Sequence, residues 1–302
     1  FNASIPHIEN IYQMVKKEST AVNENYVRGF QSTEGEFLKS RFPEIEACCF
    51  INGGGYVKEP AFKVINGQEK EEYAVFSTIV SEGFKEVFKP TILEGSLEDA
   101  FSTLGNTLIS QSTARLMFGE ESPIGKVVEL WMFDVVEQKD AEGNVIGAYS
   151  TQGFKPFTIK AVYKDYGENA SVNDGFITCR SLLNGFIYQA FYVNMQKKNV
   201  KQWMEKAKEK EVIERMQFWD MNASKERNLD VEKVITLELL PLQNIQLNYP
   251  TVSQKGQDRS TVFFLFSIGV FALLIAYINF VNFTTAMAPA RVRSVNIRMI
   301  LG

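Results

Sequence analysis

No residue between Arg259 and Arg291 carries a charge. The core of this run, from Val262 to Phe283, reads Val-Phe-Phe-Leu-Phe-Ser-Ile-Gly-Val-Phe-Ala-Leu-Leu-Ile-Ala-Tyr-Ile-Asn-Phe-Val-Asn-Phe. A helix rises about 1.5 Å per residue, so about 20 apolar residues cross a hydrocarbon layer of about 30 Å. In lipid the backbone of such a run is satisfied only in a helix or a closed barrel, and this run does not alternate. A buried core helix is the competing reading, but core helices rarely stay uncharged for so long. The run therefore predicts a transmembrane helix over 259–289. Everything before it is much longer than everything after it, so the chain reads as a large domain on one side of a membrane.

The flanks give the orientation. Arg291, Arg293 and Arg298 follow the span with no acid among them, whereas Lys255, Asp258 and Arg259 before it are mixed in sign. An arginine excess marks the cytoplasmic side, which leaves residues 1–258 extracytoplasmic. In the tail, Val292, Val295 and Met299 follow i, i+3, i+7 while Arg291 and Arg298 share another face, so 290–302 reads as an amphipathic helix at the cytoplasmic surface. A basic juxtamembrane anchor fits the same residues. Asn279 and Asn282 are the strongly polar groups of the span, and their expected role is hydrogen bonding to neighbouring helices. One span of this composition does not line a pore by itself.

The segment Ile278-Asn279-Phe280-Val281-Asn282-Phe283, then Ala286, then Arg291-x-Arg293-x-Val295-x-Ile297-Arg298-x-x-Leu301-Gly302 resembles the second transmembrane helix and following motif of FtsX-like ABC transporter permeases, the group that includes MacB and LolC/LolE. Ser294 stands where the family usually has Glu, Asn296 where it has Gly, and Met299 where it has a basic residue. In the family this segment faces a cytoplasmic ABC ATPase. The resemblance thus assigns the ATPase contact to Arg291, Arg293, Val295, Ile297, Arg298, Leu301 and Gly302. It also implies a second permease copy or homologue as partner.

The chain begins at Phe1 without a charged and apolar leader, and it stops inside the motif, so it is expected to be a piece of a larger membrane protein. Net charge is -4, which offers no basic field for nucleic acid. The cysteines are Cys48, Cys49 and Cys179; adjacent cysteines pair only with strain, and a pairing of Cys179 with either of them stays open. They show no metal spacing, and His7 is the only histidine. Neither a metal nor a cofactor is expected.

Along the outer part, Ile8, Ile11, Tyr12 and Val15 follow i, i+3, i+4, i+7 and predict a stalk helix within 1–20, with His7 on its surface. Strands are expected over 24–31, 46–51 and 56–65, the last two joined in a hairpin across Asn52-Gly53-Gly54-Gly55. A helix over 34–41 stops before Pro43. Further strands are expected over 72–81, 107–110, 126–136, 157–163, 176–179, 190–195 and 231–240, with a hairpin tip at Glu142-Gly143-Asn144. Short helices fall over 82–88 and 111–118, and a longer one over 199–220 whose apolar face shifts after Lys208-Glu-Lys-Glu211.

The middle block carries a second resemblance. Ser110-x-x-x-Ala114-Arg115-x-x-Phe118-Gly119-x-x-x-Pro123-Ile124-Gly125-Lys126, preceded by Leu93-Glu94-Gly95, is similar to a signature of the extracytoplasmic domain of MacB-like permeases. Ala114 and Phe118 should pack a helix, Gly119 cap it, and Pro123–Gly125 turn the chain into the next strand. The implied class is α+β: an extracytoplasmic βαβ-like porter lobe over 21–258, interrupted by a smaller inserted mixed lobe at about 82–170.

The paired acids Glu44/Glu46, Glu71/Glu72, Glu98/Asp99 and Glu120/Glu121 sit at turns and element ends, and no nucleophile elbow, zinc-protease helix or phosphate loop is present in the sequence. A non-catalytic chain is expected. Three functions fit: a permease that passes ATPase-driven motion to an outer domain acting on a peptide, lipoprotein or envelope partner; a membrane-anchored extracytoplasmic sensor; and a membrane scaffold. The motif after the span favours the first.

Overall fold

The computed structural model describes residues 2–19, 24–52, 58–65, 69–139, 145–167, 170–179, 189–216, 234–245 and 259–300. The chain divides into two compact units, Phe1–Gly256 and Gln257–Gly302. The first is α+β, and its described strands all belong to one connected sheet.

One part of that sheet is built on β1 (Ile11–Ser19). Its odd positions Ile11 and Val15 enter one apolar core and its even positions Tyr12 and Met14 another. Along 11–14 its antiparallel neighbour is β12 (Gln189–Asn194), and along 12–19 its other edge takes β13 (Val234–Pro241). From Lys16 to Ser19 it also pairs with β2 (Glu24–Val27). Beyond β12 lies β4 (Ala47–Asn52), and the short β3 (Gly29–Phe30) pairs with Gln189 and Ala190 on the opposite edge of β12, the one that β1 takes from Phe191 onward. Two helices cover one face, α1 (Ser32–Arg41) and α5 (Lys197–Lys206). Phe42, Trp203, Phe191, Phe30, Leu237 and Leu239 fill the layer between, with the Phe42 and Trp203 rings 5.5 Å apart. After α5 the chain turns at 207–209 and becomes helical again over 210–216, where Val212 and Met216 return to the same core. The single helix expected over 199–220 is thus broken at 207–209, with both halves packed on one core, and residues 217–220 lie outside the described residues.

The N-terminal segment is not a stalk helix. A single 3-10 turn at Ile8–Asn10 leads straight into the β1 strand. The helical spacing of Ile8, Ile11, Tyr12 and Val15 misled because β1 is buried on both faces. Apolar residues then fall at odd and even positions alike, and a period of two is lost.

The rest of the unit is a ring. Strands β5 (Glu59–Val64), β6 (Lys70–Val80), β11 (Gly175–Cys179), β8 (Asn106–Ser110), β10 (Val145–Tyr163) and β9 (Val127–Lys139) pair in a closed cycle, β9 returning to β5. Each contributes to one apolar cluster: Ala61, Val75, Phe176, Ile109, Phe157 and Leu130 are examples. The ring begins with β5, ahead of the residue 82 expected for an inserted lobe, because β5 and β6 are drawn in by pairing with β9 and β11. β4 and β5 are not a hairpin with each other. Both pair with β6, β5 along 70–75 and β4 at Ile79 and Val80; the glycines at 53–55 lie outside the described residues. The β9–β10 hairpin is present and longer than expected, with the tip residues 142–144 also outside them.

A third core joins ring to sheet. The opposite faces of β8, β10 and β11 present Leu108, Ala161, Tyr163 and Ile177 to Ile11, Val15, Cys49 and Tyr192. Two short helices complete it, α2 (Phe84–Val87) and α3 (Leu97–Ser102), the latter preceded by β7 (Ile92–Gly95). Strands β8 and β11 are buried at every position, which explains why each reads as a continuous run.

The described residues of the second unit form one helix, α6 (Arg259–Ile300). Within it Ser260–Met287 has a mean hydropathy of 2.5 and no burial by the rest of the protein, and by length and composition it is able to cross a membrane.

Candidate functional site

The sequence places function in the span and its tail. The helix runs without a break from Arg259 through Pro289 to Ile300. Arg291, Arg293, Val295, Ile297 and Arg298 lie on its last three turns, so the tail continues the span rather than hinging from it. Leu301 and Gly302 fall outside the described residues. Asn279 and Asn282 are exposed along the same helix among Phe280, Val281 and Phe283. An apolar surface of this extent calls for lipid or other helices as its solvent.

The middle signature proves to be a packing device. Helix α4 (Gln111–Phe118) starts at Ser110, whose Oγ accepts from Thr113 N. Ala114, Met117 and Phe118 pack into the ring core. Gly119 ends the helix at φ 64°, a left-handed conformation that favours glycine, and its N–H returns to Arg115 O. Pro123 O then accepts from Lys126 N, and Gly125 N donates to Ile159 O at 2.8 Å. The Lys126 ammonium lies 5.2 Å from the Phe118 ring centroid and 2.5 Å from Glu121. Gly95 sits at φ 80° where a Cβ would lie 2.1 Å from Lys160 O, so β7 approaches β10 only because this residue has no side chain.

Each acidic pair has at least one member tied into an ion pair or hydrogen bond. Glu44 bonds Lys206, which holds its carboxyl below the usual range. Glu46 accepts from Gln196 at 2.6 Å, Glu71 from Tyr73 at 2.9 Å and Glu98 from Lys85 at 3.0 Å. The Lys126 hydrogen bond likewise lowers Glu121. His7 is exposed in a left-handed turn, 3.9 Å from Glu9. Cys48, Cys49 and Cys179 are free thiols. Burial pushes Cys49 well up and Cys179 to about 11, which keeps both protonated and inert at neutral pH. Among the described residues no group of three potential ligands is placed to hold a metal.

Two features were missed in the sequence. Lys16 and Glu34 form an ion pair inside the α1–sheet layer, at 5% and 1% side-chain exposure. Glu34 also accepts from Gln31 N at 2.8 Å, closing the capping box of α1, and Lys16 lies 5.0 Å from the Phe30 ring centroid. A lysine directly after Met14-Val15 was the available signal. The second is a groove of about 590 Å³ between α2 and α3, lined by Lys85, Glu98, Phe101, Leu104 and Cys179 among others.

No protein-family model matches the chain, and no curated protein matches it. Solved structures do. A domain of a protein described as a permease, from Porphyromonas gingivalis, is 16% identical over 84% of this chain and all of that one, with a TM-score of 0.50. The extracellular domain of the noncanonic ABC-type transporter YknZ from Gram-positive bacteria is 15% identical over 76% of this chain and 100% of its own, at 0.45. The periplasmic region of MacB from Actinobacillus actinomycetemcomitans is 12% identical over 80% and 92%, at 0.44. The sheet, the ring and their cores therefore make up the fold of the Porphyromonas gingivalis permease domain, in agreement with the resemblance read from the sequence, on a chain that also carries one helix long and apolar enough to cross a membrane.

Proposed function

We propose that this chain is a permease component of a mechanotransmitting ABC transporter. The observation that carries the reading is α6, one uninterrupted helix from the apolar span into the arginine-bearing tail. A cytoplasmic ABC ATPase binding the tail, at Arg291, Arg293, Val295, Ile297, Arg298, Leu301 and Gly302, would move a lever that needs no joint to pass through the membrane. The first unit, with three cores and a closed strand ring, is built to respond as a body. Residues 1–258 lie outside the cytoplasm of a bacterial inner membrane and act on a peptide, lipoprotein or envelope protein. ATP is hydrolysed in the separate ATPase, not in this chain. Asn279 and Asn282 face further helices, including those of a second permease copy or homologue.

The test is co-purification of the full-length protein with the ATPase encoded beside it, comparing wild type with Arg298→Glu and Leu301→Asp. Wild type retains the ATPase and both variants lose it while staying in the membrane. A wild-type protein that is stable yet recruits no ATPase overturns the proposal and leaves the anchored sensor.

A further inference from the structure

Three separate stretches of the first unit meet at one buried side chain. Asn2 is 2% exposed. Its Nδ2 donates to Leu242 O at 2.9 Å, and its Oδ1 accepts from Ser171 N. Leu242 opens the turn that follows β13, on the way to α6 in the sequence. Ser171 belongs to the connection between β10 and β11, two strands of the ring. Two residues on, Ser4 Oγ donates to Tyr166 O in the same connection. Asp174 braces that connection internally, its two carboxylate oxygens accepting from Tyr166 N and Gly167 N at 2.7 Å each. Around these bonds Ile5, Tyr166, Ala170, Val172, Leu242 and Ile245 share one apolar core.

We propose that Asn2 is a staple that locks the exit segment at Leu242–Ile245 to the β10–β11 connection, so that displacement of the exit segment is delivered to the ring. This rests on the transporter reading above for its source of motion and adds the route the motion takes. The chemistry is specific to asparagine. One amide must donate to a carbonyl and accept from an N–H at the same time. Aspartate keeps the acceptor but sets a buried carboxylate against Leu242 O. Glycine keeps the backbone, which sits at φ 59°, a left-handed conformation asparagine tolerates better than most residues, and removes both bonds. Apolar contacts alone allow the segments to slide, because the hydrophobic effect has no direction. A two-bond bridge from a buried amide fixes their register, since on the Leu242 side, which is fully buried, the freed groups have no water to turn to when it breaks. Coupling through such a contact is physical when the two segments are displaced together.

The experiment is hydrogen exchange by mass spectrometry on the full-length protein with its ATPase in lipid nanodiscs, nucleotide-free and trapped with ATP and vanadate. Wild type, Asn2→Gly and Asn2→Asp are compared at residues 164–174 and 240–245, with β1 as reference. In wild type both segments change protection together on trapping. In both variants 240–245 still responds and 164–174 no longer does. Without nucleotide, exchange at the Ser171 amide rises roughly tenfold in Asn2→Gly while β1 holds. Equal responses of 164–174 in wild type and both variants overturn the staple, as does unchanged Ser171 exchange in nucleotide-free Asn2→Gly. A wild type in which neither segment responds, with the ATPase bound, overturns the transporter reading instead.

Discussion

Replacing Lys16 by Met removes one partner of an ion pair that is almost wholly inside the protein. Glu34 is left at 1% exposure with, among the described residues, one remaining donor, Gln31 N. An uncompensated buried charge costs about 3–5 kcal/mol, a large share of the roughly 5–15 kcal/mol that holds a domain together. The double variant Lys16→Met with Glu34→Leu removes both charges and fills a similar volume. It gives up only the capping-box bond to Gln31 N, about 1 kcal/mol, and the cation over Phe30. The double variant should therefore be more stable than the Lys16→Met single by about 2 kcal/mol or more. The assay is urea unfolding of the detergent-solubilised protein followed by tryptophan fluorescence, in which the buried Trp203 reports directly on the layer the pair occupies. Equal midpoints for single and double variants would refute the reasoning. They would mean that Glu34 finds solvent or another donor once Lys16 is gone, and that the pair is not sealed.

Two further outcomes are expected. Gly95→Ala should destabilise by about 1–3 kcal/mol, since it combines an unfavourable φ of 80° with a Cβ 2.1 Å from Lys160 O; thermal melting checks it, and an unchanged midpoint would show that β7 moves away freely. Glu44 has its carboxyl lowered chiefly by the Lys206 hydrogen bond, so its contribution is present above the ordinary carboxylate range and is lost as pH falls through its depressed folded value. Lys206→Met should flatten that part of the acid stability profile, and a profile identical to wild type would rule the pair out as its source.

Local rules recovered much of the first unit. The span was legible because an uncharged run of that length has few alternatives. Helix α4 was legible to the residue, since Ser110, Ala114, Phe118 and Gly119 cap and pack it through contacts close in sequence. Helix α3 was missed because its N-cap Ser96 opens only a short turn of mixed polarity, Leu97–Ser102. The Lys16–Glu34 pair was missed because an ion pair is invisible until β1 and α1 are packed face to face.

What the sequence alone determined is the partition of the chain: a domain, a membrane-length helix, and a basic tail, with α+β content and a permease-like signature in the domain. Those properties depend on composition and on residues within a few turns of one another. What only the tertiary structure decided is which strands are partners. β1 is a strand and not a helix because β12 and β13 hold it from both sides and two cores bury both its faces. β4 and β5 are separated by β6, and the ring closes through β5–β9 and β6–β11 contacts between strands remote in sequence. A strand's own residues set its two faces but not its neighbours. Pairing is chosen by the burial that the whole sheet achieves, and that quantity exists only once the chain has folded.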